Sequence, residues 1–519
     1  MPAKTSYISH RILFYIALLV FIIFKIPYLS DAFYWDESWV YAPAIKSMYQ
    51  AGPSLMPDVI PVEYSRGHPL LHQFACAVWM YVFGSSNLSM HSFALFLSAM
   101  LAISLFEVMR RLFDENIALI SALLLLVNVT FFAQSSFVMT DIPLALFALL
   151  GIYYYAGERY IRAILALTVL YYIKESAWMM AFVLAADVAV SVWKKAPRKV
   201  IISRVLATVL PVLFIFVYFL LQKIRLGWFL YPAHTDIIDA SLFHTLDHFQ
   251  RILTLLFWTD QIFLYHFALV LACVILYIRT RRRVFLYITA AYLVIYLHTV
   301  VLGYKDLLYY VFIIAMLVAF IAFLRSPLSM LTRPQARFLK LSTAFSVAFS
   351  YFSSINFYEE RYAFVVLLLM FFIPMGIAYG RIVASLGRGK WVIAWVLVLQ
   401  LGCPVYITGN NQMIAYERIR AQQQLVDYME SQGYYDKIIC APSYLERVHL
   451  NDAATGFLNS PKIFPHVYEH MSASTELLIF DNIEPDVLFH RQVMADTNFH
   501  LVHKITYKRA WIEVYERRK

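Results

Sequence analysis

Long apolar runs separated by short polar connections make up most of this 519-residue chain. A helix needs about 20 mostly apolar residues to cross a bilayer, and by this criterion the pattern predicts roughly thirteen spans before residue 409. The predicted spans cover residues 12–29, 93–108, 117–137, 143–155, 163–173, 177–192, 200–221, 262–278, 285–302, 307–324, 341–355, 363–382 and 391–407. The first run has no small-residue cleavage site, so we predict a retained helix and not a signal peptide.

Two of these runs, 163–173 and 177–192, are short and are separated only by Lys174, Glu175 and Ser176. They could form one long helix with a buried ion pair, or two helices that turn at the outer surface. The second interpretation fits the basic residues better. With the N-terminus inside, alternate connections carry more than twice as many Lys and Arg as the opposite ones, and such an excess marks the cytoplasmic side.

Two connections on the predicted outer side are long. The first, residues 30–92, contains a stretch at 72–83 that could lie as an amphipathic helix in the membrane interface. The second, residues 222–261, is rich in histidine and aspartate. Their spacing forms no coherent set of metal ligands, so we interpret this connection as a polar surface loop.

The composition changes from residue 409 onward. Residues 416–432 have helical spacing, the short apolar runs 437–441 and 477–481 predict buried strands, and 500–507 with 511–515 alternates like a hairpin around Lys508 and Arg509. The chain is therefore predicted to contain a transmembrane catalytic domain, 1–408, and a small extracytoplasmic α/β or α+β domain, 409–519.

Composition favours a polytopic α-helical membrane protein and excludes other classes. Hydrophobic residues make up 61% of the chain and charged residues 15%, whereas soluble domains average about 45–50% and about 25%. A cytosolic enzyme and a disordered chain are therefore excluded. The formal charge of +10 is explained by basic cytoplasmic connections, so no nucleic-acid partner is predicted. The four cysteines lack C-x-x-C spacing, which signals neither a zinc site nor a disulfide framework.

Ionisable residues gather at the predicted outer ends of the spans, where their cost in a membrane makes them functional candidates. Carboxylates at such a rim could remove a proton from a hydroxyl, and cations could bind a lipid phosphate. The groups are Asp36 with Glu37, Arg66 with His68, Asp141, Lys174 with Glu175, Lys305 with Asp306, and Glu359 with Glu360 and Arg361. For Asp36 and Glu37, a surface acid pair beside interfacial aromatics is an equally good interpretation.

Five short motifs follow one another on this predicted outer side. They are Asp36-Glu37 after the first span, Gly67-His68-Pro69-Leu70-Leu71, Thr140-Asp141-Ile142-Pro143, Tyr172-Ile173-Lys174-Glu175, and Glu360-Arg361-Tyr362 with Pro374 downstream. Together they resemble the motifs of the GT-C glycosyltransferases, in particular the protein O-mannosyltransferase and aminoarabinose (lipid A) transferase branches. Three motifs depart from the pattern: Leu70 replaces a proline, Glu175 stands where glycine is usual, and the proline close to Arg361 is missing.

The resemblance implies a GT-C fold and a role for each matching residue. Asp36 would be the general base, Glu37 would support its position or bind the acceptor, and Asp141 would be a second carboxylate near the acceptor or the sugar. The residues implied to bind the donor phosphate are Lys174, Arg361, His68, Arg66 and Tyr362.

Structural interpretations of four of these residues stay open. Asp141 could cap the helix that begins at Ile142 and Pro143, and His68 could likewise cap a helix. The two candidate phosphate-binding cations could instead pair with neighbouring acids, Lys174 with Glu175, and Arg361 with Glu359 or Glu360.

The implied reaction moves a single sugar from a polyprenyl-phosphate donor to a lipid, glycan or protein hydroxyl outside the cytosol, with inversion, among membrane lipids. Sister enzymes that transfer oligosaccharides use an Asp-x-Asp or Asp-x-Glu pair for a divalent metal, but Ile142 and Pro143 follow Asp141 here. No cofactor is therefore implied, and a divalent cation elsewhere is not signalled. We expect a bacterial inner membrane. The alternatives are an O-antigen polymerase or ligase, a lipid-linked sugar flippase, and a non-catalytic scaffold.

Overall fold

The computed structural model describes residues 9–236, 238–259, 262–301, 307–325, 330–356, 360–383, 411–482 and 498–518, with positions 328, 385 and 491. Most of these residues are helical, and one mixed sheet lies near the C-terminus. The span predicted at 391–407 lies outside the described residues, as do the rim candidates Lys305, Asp306 and Glu359.

Helices form at the apolar runs because a backbone in lipid must satisfy its own hydrogen bonds. The helices before residue 300 are α1 His10–Lys25, α2 Ala42–Ala51, α3 Val62–Ser65, α4 Leu71–Phe83, α5 Asn87–Leu112, α6 Glu115–Leu126, α7 Val129–Gln134, α8 Asp141–Ala156, α9 Tyr160–Ile173, α10 Met179–Trp193, α11 Arg198–Leu226, α12 Pro232–Asp236, α13 Leu242–Phe257, α14 Ile262–Thr280 and α15 Arg283–Val301. They are followed by α16 Leu307–Arg325, α17 Arg333–Ser354, α18 Phe364–Leu367, α19 Ile373–Ala378, α20 Asn411–Ser431 and α21 Tyr444–Asn451.

Within the described part of the chain, six helical segments are long and apolar enough to cross a membrane. They are His10–Tyr28, Asn87–Leu112, Glu175–Trp193, Arg198–Leu226, Ile262–Thr280 and Arg361–Val383. Shorter apolar helices, among them α6, α8 and α9, lie between them. The predicted class of a polytopic helical membrane protein is confirmed, and the count of thirteen spans stays a prediction.

Two breaks in the helices bear on the predicted spans. The span predicted at 117–137 is wrong as a single helix, because α6 ends at Leu126 and Asn128 accepts a hydrogen bond from Phe131 N at 2.9 Å, capping α7. The predicted break after residue 173 is confirmed. Lys174 is extended, with φ −157° and ψ 138°, and a 3₁₀ turn, Glu175–Trp178, leads into α10.

The C-terminal part contains a five-stranded sheet in the order β2-β1-β3-β5-β4. The strands are β1 Ile439–Cys440, β2 Val467–Tyr468, β3 Leu477–Asp481, β4 Phe499–Tyr507 and β5 Ala510–Arg517. β1 runs parallel to β2 and β3, whereas β5 runs antiparallel to β3 and β4. The predicted hairpin is confirmed, with Lys508 in the left-handed region at φ 54° in its turn. The strand β2 and the helix α21 were not predicted.

The sheet and helix α20 pack against the segment that follows α1. One hydrophobic cluster joins Tyr34, Val40 and Tyr41 to α20 residues such as Tyr416 and Ile419. The backbone N–H of Phe33 also donates to Thr455 O at 3.1 Å. The C-terminal part therefore lies directly on the segment that contains Asp36.

Candidate active site

Four segments that are distant in sequence end at one face of the helical part. Asp36 follows α1, Asp141 is the first residue of α8, and Lys174 follows α9. Arg361 lies in a 3₁₀ turn just before α18. The side-chain contacts described below join these four residues, so the predicted convergence of acids and cations is present in the structure.

Asp36 and Arg361 form the centre of this site. Arg361 Nη2 donates to Asp36 Oδ2, and the hydroxyl of Tyr362 lies 3.5 Å from the same oxygen. Arg361 is buried, and its Nη1 contacts Met139 Sδ at 2.9 Å. Arg361 Nε has no hydrogen-bond partner among the described residues. Asp36 keeps 17% of its side chain exposed, so this carboxylate can be reached from outside the protein.

Lys174 and Asp141 form the second part of the site. Lys174 Nζ lies 3.7 Å from Asp141 Oδ1 and 4.1 Å from the centre of the Tyr362 ring. Burial lowers the pKa of Lys174, but the Asp141 carboxylate and nearby tyrosines raise it more, so the net shift is upward. The amine is therefore a permanent cation beside the Asp36–Arg361 pair.

Glu37, the next residue after Asp36, is fully buried. It accepts hydrogen bonds from Val138 N at 2.6 Å and Tyr34 N at 3.3 Å. His91 Nε2 lies 3.1 Å from its Oε1, and His91 Nδ1 lies 3.0 Å from Leu29 O. The two ring nitrogens of His91 thus link the Glu37 carboxylate to the backbone carbonyl of Leu29.

The backbone near Asp36 has an uncommon conformation. Trp35 is in the left-handed region at φ 54°, and Glu37–Tyr41 forms a short π-helix. Such features in non-glycine residues persist only where the surroundings hold them in place. Here the buried Glu37 carboxylate, through its bonds to Tyr34 N and Val138 N, provides that support.

Tyr41 and Thr140 lie beside the second part of the site. Their hydroxyls are 3.2 Å apart. Burial raises the pKa of Tyr41 to about 12, so the phenol keeps its proton at neutral pH and can act as a hydrogen-bond donor.

His68 and Arg66 lie at the edge of the site. His68 Nδ1 is 2.8 Å from Glu175 Oε2, and the His68 ring lies 4.8 Å from that of His234. Arg66 is in the left-handed region at φ 46°, and its guanidinium lies 4.2 Å from the centre of the Trp39 ring. The potential metal-ligand atoms of His68, Glu175 and His234 all lie within 4.8 Å of one another. Among the described residues, this is the one group of three or more His, Cys, Asp or Glu side chains that are close enough to hold a metal ion.

The structure decides several of the open structural interpretations. The surface acid pair is wrong, because Glu37 is fully buried. This enclosure is compatible with the predicted support of Asp36 and does not favour the predicted alternative, contact with an acceptor. Asp141 does not cap α8, since Thr140 occupies the position before the helix.

The pairing expected between Lys174 and its sequence neighbour is also wrong. Lys174 pairs with Asp141 and not with Glu175, and Glu175 pairs with His68. Arg361 pairs with Asp36, 325 positions away in the chain. The side chains of Glu359 and Glu360 lie outside the described residues, so a pairing of Arg361 with either of them stays a prediction.

Sequence reasoning missed His91 and Met139, and it assigned His234 to a polar surface loop. A signal existed for His91, because an ionisable residue just before a predicted span is a functional candidate. The histidine content of residues 222–261 was a signal for His234, but spacing within that connection could not reveal its neighbours His68 and Glu175. No local signal existed for Met139, which contacts Arg361.

The sequence of residues 67–221 matches the family model described as dolichyl-phosphate-mannose-protein mannosyltransferase. This segment is less than a third of the chain; it includes His68, Asp141 and Lys174 but neither Asp36 nor Arg361. No curated protein is significantly similar to the chain.

Solved structures with a similar course of the chain include ArnT from Cupriavidus metallidurans and the archaeal oligosaccharyltransferase AglB from Archaeoglobus fulgidus. ArnT bound to undecaprenyl phosphate has 12% identity and a TM-score of 0.47, and apo ArnT has 12% and 0.49; each match covers 97% of both chains. AglB, in complex with an inhibitory peptide and a dolichol-phosphate, has 11% identity and a TM-score of 0.46, over 91% of this chain and 69% of its own.

The family match confirms the predicted resemblance to GT-C glycosyltransferases and the predicted enzyme class. It also agrees with the predicted membrane location in general terms.

Proposed function

We propose that this chain transfers a single sugar from a polyprenyl-phosphate donor to an acceptor hydroxyl, at the extracytoplasmic face of the membrane and with inversion. The observation that carries the proposal is the meeting of Asp36, Asp141, Lys174 and Arg361 at one end of the helices. A carboxylate base and two cations for a phosphate are the groups that this reaction requires.

The donor phosphate would bind between Arg361 and Lys174. Arg361 Nε lacks a partner among the described residues, and a guanidinium can hold two phosphate oxygens at once. Lys174 adds a point charge beside the same tyrosine, since its Nζ lies 4.1 Å and the Arg361 guanidinium 4.9 Å from the centre of the Tyr362 ring. Because Arg361 also donates to Asp36, a bound phosphate would compete with Asp36 for the guanidinium.

This competition would free the Asp36 carboxylate from Arg361, so that it can act as a base. Breaking the anomeric C–O bond leaves negative charge on the phosphate, which Arg361 and Lys174 stabilise in a site of low exposure. Asp36, released from Arg361, accepts the proton of the acceptor hydroxyl. The hydroxyl oxygen attacks the anomeric carbon from the side opposite to the departing phosphate. Attack on one side and departure of the phosphate from the other invert the configuration of the anomeric carbon.

Asp141 and Glu37 would position the reacting groups. Asp141 holds Lys174 at 3.7 Å and lies near the space between the two cations. Glu37 ties the backbone just before Asp36, at Tyr34 N, to the segment just before α8, at Val138 N. His68, Arg66 and Tyr362 would border the phosphate, with Tyr362 the nearest of the three to Asp36.

The position of the charges favours a transferase over a transporter. Transporters bind their cargo near the bilayer midplane on broken helices, whereas Asp141 begins α8 and Lys174 follows α9. The opposite end of α8 carries a second charged group, in which Arg204 and Arg337 pair with Glu158 and Asp187. Arg337 lies in a connection that the sequence assigns to the cytoplasm, and Arg204 lies near the cytoplasmic end of the predicted span 200–221, which supports an extracytoplasmic site.

The experiment measures sugar transfer from a synthetic polyprenyl-phosphate sugar by the purified full chain in lipid vesicles. Loss of a general base costs about 10²–10⁴-fold in rate. We therefore expect Asp36→Asn to lower turnover by about that factor while donor binding stays within a few-fold. The matched control is Asp58→Asn, an acid of the same connection with 38% of its side chain exposed, which should keep its rate. Normal turnover by Asp36→Asn would refute the assignment.

A further inference from the structure

Three segments meet at the edge of the active site through His68, Glu175 and His234. His68 lies in the connection before α4, Glu175 begins the 3₁₀ turn after Lys174, and His234 lies in α12. Their potential ligand atoms all lie within 4.8 Å of one another. Two of the three have no counterpart in the motif pattern that the chain otherwise resembles, since Glu175 replaces a usual glycine and His234 belongs to no motif.

The distances are close to those of a metal site. A tetrahedral zinc ion lies about 2 Å from each ligand atom, which places the ligand atoms about 3.3 Å apart. The His68 Nδ1 to Glu175 Oε2 distance is 2.8 Å, and the longest separation in the group is no more than 4.8 Å. Small rotations of these partly exposed side chains would therefore suffice to bind an ion.

The donor atoms select the class of metal. Two imidazole nitrogens and one carboxylate oxygen suit Zn²⁺ and related transition-metal ions, whereas Mg²⁺ and Ca²⁺ prefer sets of oxygen ligands. Three protein ligands also leave a fourth position, which zinc fills with water or a ligand oxygen. The side chains of His68 and Glu175 are 15% and 26% exposed, so this position is open to the site.

Packing around the three residues holds them in place. Gly67 has φ +70°, and a Cβ atom there would lie 2.6 Å from the Trp228 ring, so only glycine lets the connection before α12 approach so closely. Tyr218 OH donates to His68 O at 2.9 Å. The Tyr231 ring lies against that of His234 at 5.4 Å.

A hydrogen-bonded pair of His68 and Glu175 would not explain His234. Within the described part of the chain, the His234 ring makes ring contacts with His68 and Tyr231. Neither contact requires a histidine, whereas a third ligand does.

We propose that His68, Glu175 and His234 bind one Zn²⁺-class ion. The ion joins the first outer connection, the break after α9 and the connection after α11 into one rigid unit. Since Glu175 follows Lys174 directly, the ion fixes the backbone from which Lys174 extends. The proposal rests on these three residues and holds whether or not the proposed transfer reaction is correct.

The test is the metal content of the purified full chain in detergent, without donor or acceptor. The protein is stripped with a chelator, dialysed against Zn²⁺ and measured by inductively coupled plasma mass spectrometry. We expect about one zinc ion per chain, and a fall to background in His234→Ala and in Glu175→Gln. With Co²⁺ in place of Zn²⁺, the wild-type chain should show the intense visible absorption of a four-coordinate ion.

The matched control is His244→Ala, which removes another histidine of the same connection and should keep the ion. Gel filtration establishes that each variant is folded, and His234→Gln replaces His234→Ala if the latter aggregates. Equal metal content in the wild type, His234→Ala and Glu175→Gln would overturn the proposal, as would a cobalt spectrum that neither substitution changes. Because no turnover is measured, these outcomes are independent of the transferase proposal.

Discussion

A carboxylate that removes a proton must be free of its counter-ion at that moment, yet Asp36 accepts a hydrogen bond from Arg361 in this structure. In the proposed reaction, this pair would be the state of the site before the donor binds. A buried arginine without a partner is costly, and Asp36 provides that partner in this structure. On the proposed function, the same guanidinium would link donor binding to the release of Asp36.

This link predicts different effects for two substitutions of Arg361. Arg361→Lys keeps the charge but loses the two-pronged geometry, and Arg361→Gln loses both. Hydrogen bonds to charged groups contribute about 1.5–3 kcal/mol, so we expect Arg361→Gln to weaken donor binding by about 10- to 100-fold, with Arg361→Lys between it and the wild type. Binding of a labelled polyprenyl phosphate to detergent-solubilised protein measures the effect.

Arg225→Gln is the control, because it removes one positive charge outside the site. The Arg225 side chain is 55% exposed and pairs with Asp58. This variant should bind the donor like the wild type. If Arg361→Gln bound the donor with unchanged affinity, Arg361 would have no role in phosphate binding, and its pairing with Asp36 would be structural.

At the scale of elements, the apolar pattern predicts where helices lie but not where they break. Hydropathy averages over about 20 residues, so a single Asn128 that caps a new helix leaves no trace in the 117–137 run. Two adjacent charged residues do lower the average hydropathy, so the break at Lys174 could be predicted. The candidate site residues at the ends of the spans could be named for the same reason, because charged residues stand out beside apolar runs.

The partners of those residues could not be predicted. Glu37 with His91 and Arg361 with Asp36 join residues that no spacing rule relates. The expected pairings were between sequence neighbours, because a sequence without coordinates offers only neighbours. The short strand β2 was missed for a similar reason: two residues contain too little pattern to detect.

Helix α21 provides a test of a buried histidine. Burial lowers the pKa of His449 from 6.5 to about 3, so the ring is neutral in the folded domain and gains a proton on unfolding in mild acid. Its contribution to stability is therefore present above about pH 6.5 and is lost as the pH falls toward 3. The ring stacks on Phe457 at 3.9 Å, which suggests His449→Phe as a replacement.

We expect His449→Phe to unfold at a higher temperature than the wild type at pH 5, and the difference to shrink at pH 7.5. Thermal unfolding followed by intrinsic fluorescence at several pH values measures it. His500→Phe, a substitution at an exposed position of β4, is the control. A difference between His449→Phe and the wild type that does not change with pH would contradict the titration of His449.

At the scale of the whole molecule, the C-terminal part and the helical part share a hydrophobic core. Besides the cluster around Tyr34 and Tyr416, Trp39 contacts Tyr444 at 5.5 Å, and Arg418 donates to Tyr34 OH at 3.3 Å. The residues on either side of Asp36 are therefore packed against the C-terminal part. We infer that these contacts help to hold the segment around Asp36 in position.

Lys25 provides a buried polar link between the two parts. This lysine is fully buried at the end of α1, where its Nζ donates to Phe132 O at 2.8 Å and to Tyr416 OH at 2.7 Å. Tyr416 OH in turn donates to Ala133 O at 2.6 Å. Removing the hydroxyl leaves a buried amine without one of its acceptors, which costs about 1–3 kcal/mol. Tyr416→Phe should therefore lower the unfolding temperature of the full chain and loosen the C-terminal part.

Limited proteolysis distinguishes loosening from general instability. If Lys25 and Tyr416 hold the two parts together, Tyr416→Phe should be cut faster within residues 411–482, and its sugar transfer should fall together with this protection. Tyr468→Phe, on the exposed edge strand β2, should behave like the wild type in both assays. Wild-type protection and transfer in Tyr416→Phe would mean that the apolar cluster alone positions the C-terminal part, and that the contacts near Asp36 do not depend on this link.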